Sequence, residues 1–200
     1  MQRKRNTKIS RKKKKDKKFE FEFNLKYIKA VAVWTLKVAV VCLVAFVFVW
    51  FFGQQVSTVG DSMKPALQNG DVVLVNRVIY NATKPRRGDV IVFKPKGNEN
   101  VHYYIKRVIG LPGETVEIKD RSIYIDGELL EEDYQTTILK DSGYLVESVT
   151  LDEDEYFVLG DDRENSEDSR HAEVGNVKRM YIYGKAWFVI SGGNIGFVKE

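Results

Sequence analysis

The chain has 200 residues, of which 44% are hydrophobic, enough for one domain with a substantial core, alone or behind an anchor. Its formal net charge is only +4, but the charge is unevenly distributed along the chain. The single cysteine, Cys42, excludes an intramolecular disulfide. One cysteine and two distant histidines do not make a zinc ligand set, so we expect neither a metal nor another cofactor.

Residues 1–29 form a strongly basic tail with 13 Lys/Arg and 3 Asp/Glu. A charge run of this kind usually binds an anionic partner. Nucleic acid is a poor candidate, because the run abuts an apolar segment and contains no aromatic residue before Phe19. Attraction to anionic lipid head groups explains the tail more simply. We therefore expect a lipid bilayer, and no nucleic acid, as a partner.

An apolar segment follows the tail. Val38–Phe52 are 15 consecutive apolar residues, and extending back to Ala30 gives 23 residues in which Lys37 is the only charge. At about 1.5 Å per residue, this helix would be about 35 Å long, enough to cross the hydrocarbon core. A cleaved signal peptide would need a small-residue site that is missing after Phe46. We expect an uncleaved transmembrane anchor over residues 30–52.

The charge asymmetry predicts how the chain is oriented. The positive-inside rule places the basic tail, residues 1–29, in the cytoplasm. Residues 53–200 would then form a single extracytoplasmic domain behind one span of the cell membrane. Within it, residues of about 115–155 are expected to form a small β excursion.

The part after the apolar segment has the composition of a β domain. Seven segments are short, rich in β-branched and aromatic residues, and bounded by Gly, Pro, Asp or Asn. They are 71–80, 89–94, 102–109, 115–120, 122–127, 155–161 and 180–190. Asp126-Gly127 predicts a hairpin turn, and the acidic stretch 131–155 predicts exposed loops or a small excursion. Apart from a possible turn at 63–68, no helical periodicity follows Phe52, so we expect an all-β domain.

The stretch TVGDSMKPAL, residues 58–67, contains a candidate nucleophile in Ser62. A serine hydroxyl needs a base to remove its proton. Asp61 is a poor candidate, because an adjacent residue on an extended chain points away. The remaining candidates are His171, in the sequence DSRH, and Lys106, in YYIKRVIGLPGE.

Strand geometry makes Lys106 a plausible base. Alternate residues of a strand share a face, so Lys106 would lie between Tyr104 and Val108, with Arg107 on the opposite face. If that face is buried, desolvation disfavours the ammonium and lowers the lysine pKa, as a lysine base requires. A solvated surface lysine is the alternative interpretation.

The histidine alternative has a weak motif behind it. Gly60-Asp61-Ser62 with Asp168 and His171 resembles two blocks of the GDSL-type esterases. Those enzymes also have a Gly-x-Asn-Asp block and an α/β sheet, and neither is visible in this sequence. We keep the esterase hypothesis, with His171 as the base, as an alternative.

A second resemblance rests on five blocks that occur in order behind the apolar segment. They are GDSMKPAL (60–67), GDVVLV (70–75), RRGDVIVFKP (86–95), YYIKRVIGLPGE (103–114) and GDDRENSEDSR (160–170). Together they resemble the type I signal peptidases, serine/lysine peptidases that remove signal peptides at the outer face of the membrane. The resemblance covers residues 25–195 and is to the single-span form typical of Gram-positive bacteria. It implies twisted antiparallel sheets behind one transmembrane helix.

The resemblance assigns roles to individual residues. It implies that Ser62 is the nucleophile, that Lys106 is the general base and that Ser166 hydrogen-bonds and orients the lysine amine. It also implies a set of structural ion-paired residues in and near the last block, namely Arg107, Asp161, Asp168 and Arg170. A further implied set lines pockets for small side chains at the −1 and −3 positions of the substrate, namely Met63, Leu67, Tyr104 and Ile105.

Three positions depart from the pattern of the family. Ala66 replaces a threonine and Asp162 replaces an asparagine that many members carry. Gly60 occupies the position where some members place an oxyanion-stabilising serine, so the backbone N–H of Ser62 is the expected oxyanion donor.

The implied partners are the signal peptides of secreted preproteins, the lipid bilayer and possible secretion machinery. A functional alternative from another class is an anchored β domain that binds secreted chains without cutting them. The joint presence of Ser62, Lys106 and Ser166 argues against that alternative.

Overall fold

The computed structural model of the protein describes residues 2–139, 148–190 and 195–199, with side chains from Asn24 onward except that of Phe52. The chain divides into two compact units, Met1–Phe48 and Val49–Glu200. One long helix, α1 (Gln2–Phe52), runs without a break from the basic tail through the apolar segment. Within α1, Asn24–Phe51 are long and apolar enough to cross a membrane.

The second unit is built from short strands, in agreement with the sequence prediction of an all-β domain. The elements in chain order are β1 (Gln54–Ser57), β2 (Val72–Asn76), α2 (Ile79–Ala82), β3 (Val90–Phe93), β4 (Tyr104–Gly110), β5 (Thr115–Lys119), β6 (Ser122–Ile125), β7 (Glu128–Leu129), β8 (Val149–Thr150), β9 (Glu155–Leu159), β10 (Val177–Lys178), β11 (Ile182–Val189) and β12 (Gly196–Phe197). Two single 3-10 turns, Pro95–Gly97 and Arg179–Tyr181, complete the regular structure of the described residues.

The strands form two antiparallel sheets. The larger has the order β1-β2-β11-β3-β4-β9-β10, and β12 pairs with the end of β11. The smaller has the order β7-β6-β5-β8. At its β6–β7 hairpin, Asp126 and Gly127 have φ angles of 51° and 85°, so the predicted turn at this pair is confirmed.

Three apolar clusters hold the sheets together. The first lies on one side of the large sheet and includes Met63, Leu67 and Ile105. The second includes Ile91 of β3 and Val108 of β4. The third joins the small sheet to the large one through a separate set of side chains, among them Ile109, Val116, Phe157 and Leu159. As a result, β4 is covered on both faces, and Ile105 to Gly110 are all buried.

One sequence prediction of local structure is wrong, and several short strands were not predicted. The segment 71–80 was expected to be one strand, but β2 ends at Asn76 and α2 begins at Ile79. The side-chain oxygen of Asn76 accepts hydrogen bonds from the backbone N–H groups of Val78 and Ile79, at 3.0 and 3.1 Å, which turns the chain into the helix. The strand β1 was not predicted, and neither were the two-residue strands β7, β8, β10 and β12.

Most described residues of the acidic stretch 131–155 are exposed, as expected, but a few of its side chains pack against the domain. Leu139 and Leu151 belong to the third apolar cluster, and Thr137 Oγ1 accepts a 2.7 Å hydrogen bond from the backbone N–H of Arg163. The guanidinium of Arg163 forms an ion pair with Glu132. This stretch therefore packs against the block at 160–170, while residues 140–147 lie outside the described residues.

Candidate active site

Ser62 lies in a compact loop between β1 and β2. The loop is closed at its base, because the backbone N–H of Thr58 donates to Asp71 O at 2.8 Å and its hydroxyl donates to Gln68 O at 2.5 Å. Within it, the Asp61 carboxylate forms a 3.0 Å ion pair with Lys64. The side chain of Asp61 is thus engaged away from Ser62, as the sequence argument expected.

The side chain of Lys106 contacts that of Ser62. Its Nζ lies 2.5 Å from Ser62 Oγ, although the two residues are 44 positions apart. Lys106 pairs with Ile91 on the neighbouring strand β3, and its amine lies 5.7 Å from the centre of the Tyr104 ring. The side chain is only 4% exposed. These contacts place an amine and a hydroxyl at hydrogen-bonding distance in a largely dehydrated site.

Burial alters the protonation of the lysine. Desolvation of the ammonium lowers the pKa of Lys106 from 10.5 to about 8, against the opposing charges of Asp168 and Glu167. Among the described residues, no carboxylate lies within ion-pair distance of Nζ. Roughly a tenth of the lysine is then neutral at pH 7, against about 0.04% for an unperturbed side chain.

The block at 160–170 holds the backbone of the serine loop. The backbone N–H of Asp162 donates a 3.0 Å hydrogen bond to the carbonyl oxygen of Ser62. Gly160 lies in the same contact, where a Cβ would be 2.3 Å from Ser62 O and 2.2 Å from Ser166 Oγ. Only a residue without a side chain fits between these two groups.

Ser166 is buried beside this contact. Its hydroxyl forms no hydrogen bond of normal geometry with any residue that the structure describes, but it lies close enough to Asp168 to help lower the pKa of that carboxyl. Burial would raise the pKa of Asp168, and the hydrogen bonds and charge of Arg170 outweigh it. The hydrogen bond described for Lys106 Nζ goes to Ser62, so orientation of the lysine by Ser166 remains a prediction.

Two buried ion pairs brace the strands around the site. Arg107 binds Asp161 in a bidentate pair, with Nε–Oδ1 and Nη2–Oδ2 distances of 2.8 and 2.6 Å, and neither side chain is exposed to solvent. Arg170 binds Asp168 through two 2.8 Å contacts. Tyr134 covers the guanidinium of Arg107, with its ring centre 4.0 Å away. All four residues that the sequence assigned to ion pairs are thus ion-paired, in the combinations 107–161 and 170–168.

A cleft of about 240 Å³ contains Ser62 and Lys106. The four residues predicted to form the substrate pockets, Met63, Leu67, Tyr104 and Ile105, all line it. Met63, Leu67 and Ile105 are buried and give the cleft an apolar floor.

Several lining residues were not predicted, among them His102, Asn165 and Glu167. His102 stacks on Tyr104 with ring centres 5.3 Å apart, and the hydroxyl of Tyr104 donates to Glu167 at 3.2 Å. Asn165 and Glu167 could have been predicted as lining residues, because they flank Ser166. Nothing in the sequence marks His102, a single exposed histidine, as part of the cleft.

The second candidate base lies elsewhere. His171 does not line the cleft, and its Nδ1 accepts a 3.4 Å hydrogen bond from the backbone N–H of Asp168. Its nearest carboxylate contact, to Asp168 Oδ1, is 3.9 Å long. In this fold, His171 has no described contact with Ser62.

The backbone N–H of Ser62 was expected to donate to an oxyanion, and that role remains a prediction. Among the described residues, none accepts a hydrogen bond from the backbone N–H of Ser62. Gly60 has a φ of +84°, a left-handed conformation that costs other residues about 1–2 kcal/mol. The local backbone therefore favours glycine at position 60.

The sequence of the chain is similar to those of known signal peptidases. The family model described as "Signal peptidase, peptidase S26" matches residues 31–191. "Signal peptidase I P" of Bacillus subtilis subsp. natto is 33% identical over 158 residues, covering 76% of this chain and 84% of that protein. "Probable signal peptidase I-1" of Synechocystis is 40% identical over 134 residues, covering 64% of this chain and 66% of that protein.

A solved structure is also similar. The crystal structure of a signal peptidase I from Enterococcus faecalis V583 shares 39% identity, with a TM-score of 0.41, and the alignment covers 55% of this chain and 98% of that one.

Proposed function

This chain belongs to the signal peptidase family, peptidase S26, and on that premise we propose that it is a membrane-bound endopeptidase that removes amino-terminal signal peptides from exported preproteins. The observation that carries the proposal is the 2.5 Å contact between Lys106 Nζ and Ser62 Oγ in a cleft with an apolar floor. Ser62 is the nucleophile and Lys106 is the general base.

The chemistry follows from these two groups. The hydroxyl proton of Ser62 passes to the neutral amine of Lys106 as Oγ attacks the scissile carbonyl carbon. The backbone N–H of Ser62 donates a hydrogen bond to the developing oxyanion. The ammonium of Lys106 returns the proton to the leaving amine, which leaves an acyl-enzyme on Ser62. Lys106 then takes a proton from water as the water oxygen attacks the acyl carbon. Its ammonium returns that proton to Ser62 Oγ as the bond between Oγ and the acyl carbon breaks, which releases the new carboxyl group and restores the serine.

The cleft offers a basis for recognising the cleavage site. Met63, Leu67 and Ile105 supply an apolar floor next to the nucleophile, and Tyr104 forms one wall. We assign these residues to the pockets for the −1 and −3 side chains.

The apolar helix and the family membership indicate a membrane-anchored enzyme. We propose that residues 1–29 are a cytoplasmic tail, that residues 30–52 form the anchor and that residues 53–200 form the extracytoplasmic peptidase domain. The basic tail supports this orientation through the positive-inside rule. Protease added outside spheroplasts should digest residues 53–200 and spare the tail. Protection of the carboxy-terminal domain would overturn the orientation.

A cleavage assay tests the activity. The full chain in lipid vesicles should cut a preprotein at its signal-peptide junction, and Ser62→Ala should abolish the cut. Ser57→Ala is the matched control, because Ser57 is an exposed serine of the neighbouring strand β1. If the wild type binds the preprotein without cutting it, the non-catalytic alternative is correct. If Ser62→Ala cuts as well as the wild type, another residue is the nucleophile.

A further inference from the structure

A second cleft, of about 620 Å³, lies within the unit Val49–Glu200 and is separate from the catalytic cleft. Four tyrosines and three cations contribute to its lining. The tyrosines are Tyr80, Tyr103, Tyr181 and Tyr183, and the cations are Arg77, Lys94 and Arg179. Tyr103 also lines the catalytic cleft, so this residue forms a wall between the two. The proposed peptidase chemistry uses none of the three cations.

The two arginines are held by aromatic rings and not by acids. The Arg77 guanidinium lies 4.5 Å from the centre of the Tyr183 ring. The Arg179 guanidinium lies 5.5 Å from the centre of the Tyr80 ring and donates a hydrogen bond to the carbonyl oxygen of Tyr80. In the described part of the chain, no carboxylate lies within ion-pair distance of either guanidinium. A planar guanidinium with free donors is well suited to an oxyanion such as phosphate.

The third cation is neutralised within the chain. Lys94 Nζ lies 2.7 Å from the Glu99 carboxylate and also donates to Glu99 O at 2.8 Å. It spans one side of the cleft, 5.2 Å from the centre of the Tyr103 ring. The uncompensated positive charge of the cleft therefore belongs to Arg77 and Arg179.

The position of the cleft along the chain points to its ligand. Trp50 and Phe51, the last described side chains of the apolar helix, line the same cleft and are 57% and 41% exposed. Aromatic residues at the end of a membrane-spanning helix lie at the level of the lipid head groups. A cleft that contains them and two arginines with no described carboxylate partner is positioned where lipid phosphates are concentrated.

We propose that this cleft binds the head group of an anionic phospholipid, with Arg77 and Arg179 contacting the phosphate and the tyrosines packing against the glycerol region. The site would hold the domain against the bilayer on the side where the helix ends. A soluble anion could bind the two arginines, but it would make no apolar contact with the exposed Trp50 and Phe51.

The binding test uses the full chain in neutral detergent micelles. Short-chain phosphatidylglycerol is titrated against short-chain phosphatidylcholine, and bound lipid is counted by native mass spectrometry. The test variant is Arg77→Gln with Arg179→Gln. The matched control is Arg86→Gln with Arg121→Gln, which removes the same charge from two exposed arginines outside the cleft. The basic tail is present in all three proteins, so its contribution cancels.

We expect the wild type and the control to prefer phosphatidylglycerol. In the test variant, the preference for phosphatidylglycerol over phosphatidylcholine should fall roughly fivefold for each arginine removed. One cation close to an anionic bilayer strengthens binding by about that factor. Replacing both arginines with lysine should retain most of the preference, which guards against a folding defect in the glutamine variant. An equal preference in the test variant and the control would overturn the proposal. Competition by inorganic phosphate as effective as that of the lipid would overturn the lipid as the ligand.

Discussion

Lys106 and Arg107 are consecutive residues of β4 that experience opposite electrostatic environments. Arg107 is fully buried and bidentately paired with Asp161, so its charge is compensated. Lys106 is 4% exposed and has no ion-pair partner among the described carboxylates, and its amine reaches Ser62 instead. Because strand side chains alternate between faces, one strand can supply both a structural cation and a base.

The first prediction separates the two candidate bases. Lys106→Ala should abolish preprotein cleavage, a loss of at least about 1,000-fold in kcat/KM, because it removes the only amine in contact with Ser62 Oγ in the described structure. His171→Ala should leave most of the activity, since His171 does not line the catalytic cleft. Steady-state cleavage assays of both variants give the answer. An inactive histidine variant beside an active lysine variant would favour the esterase-like alternative.

The second prediction concerns the buried ion pair. Arg107→Met should lower the free energy of unfolding by about 3–5 kcal/mol, because it leaves the Asp161 carboxylate buried without its partner. Lys64→Met is the matched control, since it breaks the Asp61–Lys64 pair, whose side chains are 48% and 46% exposed. Breaking that pair should cost less than about 1 kcal/mol. Similar losses for the two variants in chemical denaturation would show that burial does not govern these pairs.

The third prediction concerns the contact beneath the nucleophile. Gly160→Ala should displace the serine loop, because the new methyl group would lie 2.3 Å from Ser62 O. We expect a loss of about 1–3 kcal/mol in stability and of about 100-fold in kcat/KM. Full activity in Gly160→Ala would contradict a fixed contact between Gly160 and Ser62.

Local sequence patterns predicted part of the fold and of the candidate site. Alternation along β4 predicted that Lys106 and Arg107 point to opposite faces, and the Asp126-Gly127 pair predicted its hairpin. The hydrogen bond from Asp162 to Ser62 could not be predicted in this way, because it joins residues 100 positions apart with no periodic signal. The two-residue strands were missed for the same physical reason, since their pairing depends on the partner strand.

The acidic stretch shows a different limit of sequence reasoning. High charge between 131 and 155 predicted exposed loops, and most described residues there are exposed, but Glu132 pairs with Arg163 and Tyr134 covers Arg107. Composition gives the average environment of a segment and cannot identify the few residues whose charges are matched by a distant cation.

The fourth prediction concerns how the buried ammonium of Lys106 lowers the free energy of unfolding. The folded-state pKa of Lys106 is lowered to about 8, so the charged lysine destabilises the fold at every pH below that value. The cost falls as the pH rises from about 8 to above 10.5, where the unfolded chain also loses its proton. Lys106→Met should therefore be as stable as the wild type or up to about 3 kcal/mol more stable at pH 7. Denaturation at pH 7 and near pH 10.5 measures the difference, and a clearly less stable variant at pH 7 would exclude a costly buried ammonium.

The pH dependence of kcat/KM tests the central claim, that a desolvated Lys106 is the base for Ser62. With the chemical step rate-limiting, the acid limb reports the essential base of the free enzyme. The limb should have a midpoint near the lowered pKa of about 8, with a plateau above it. His171→Ala should leave the midpoint unchanged. A midpoint near the unperturbed lysine value of about 10.4, or a midpoint near about 6.5 that disappears with His171, would contradict the assignment.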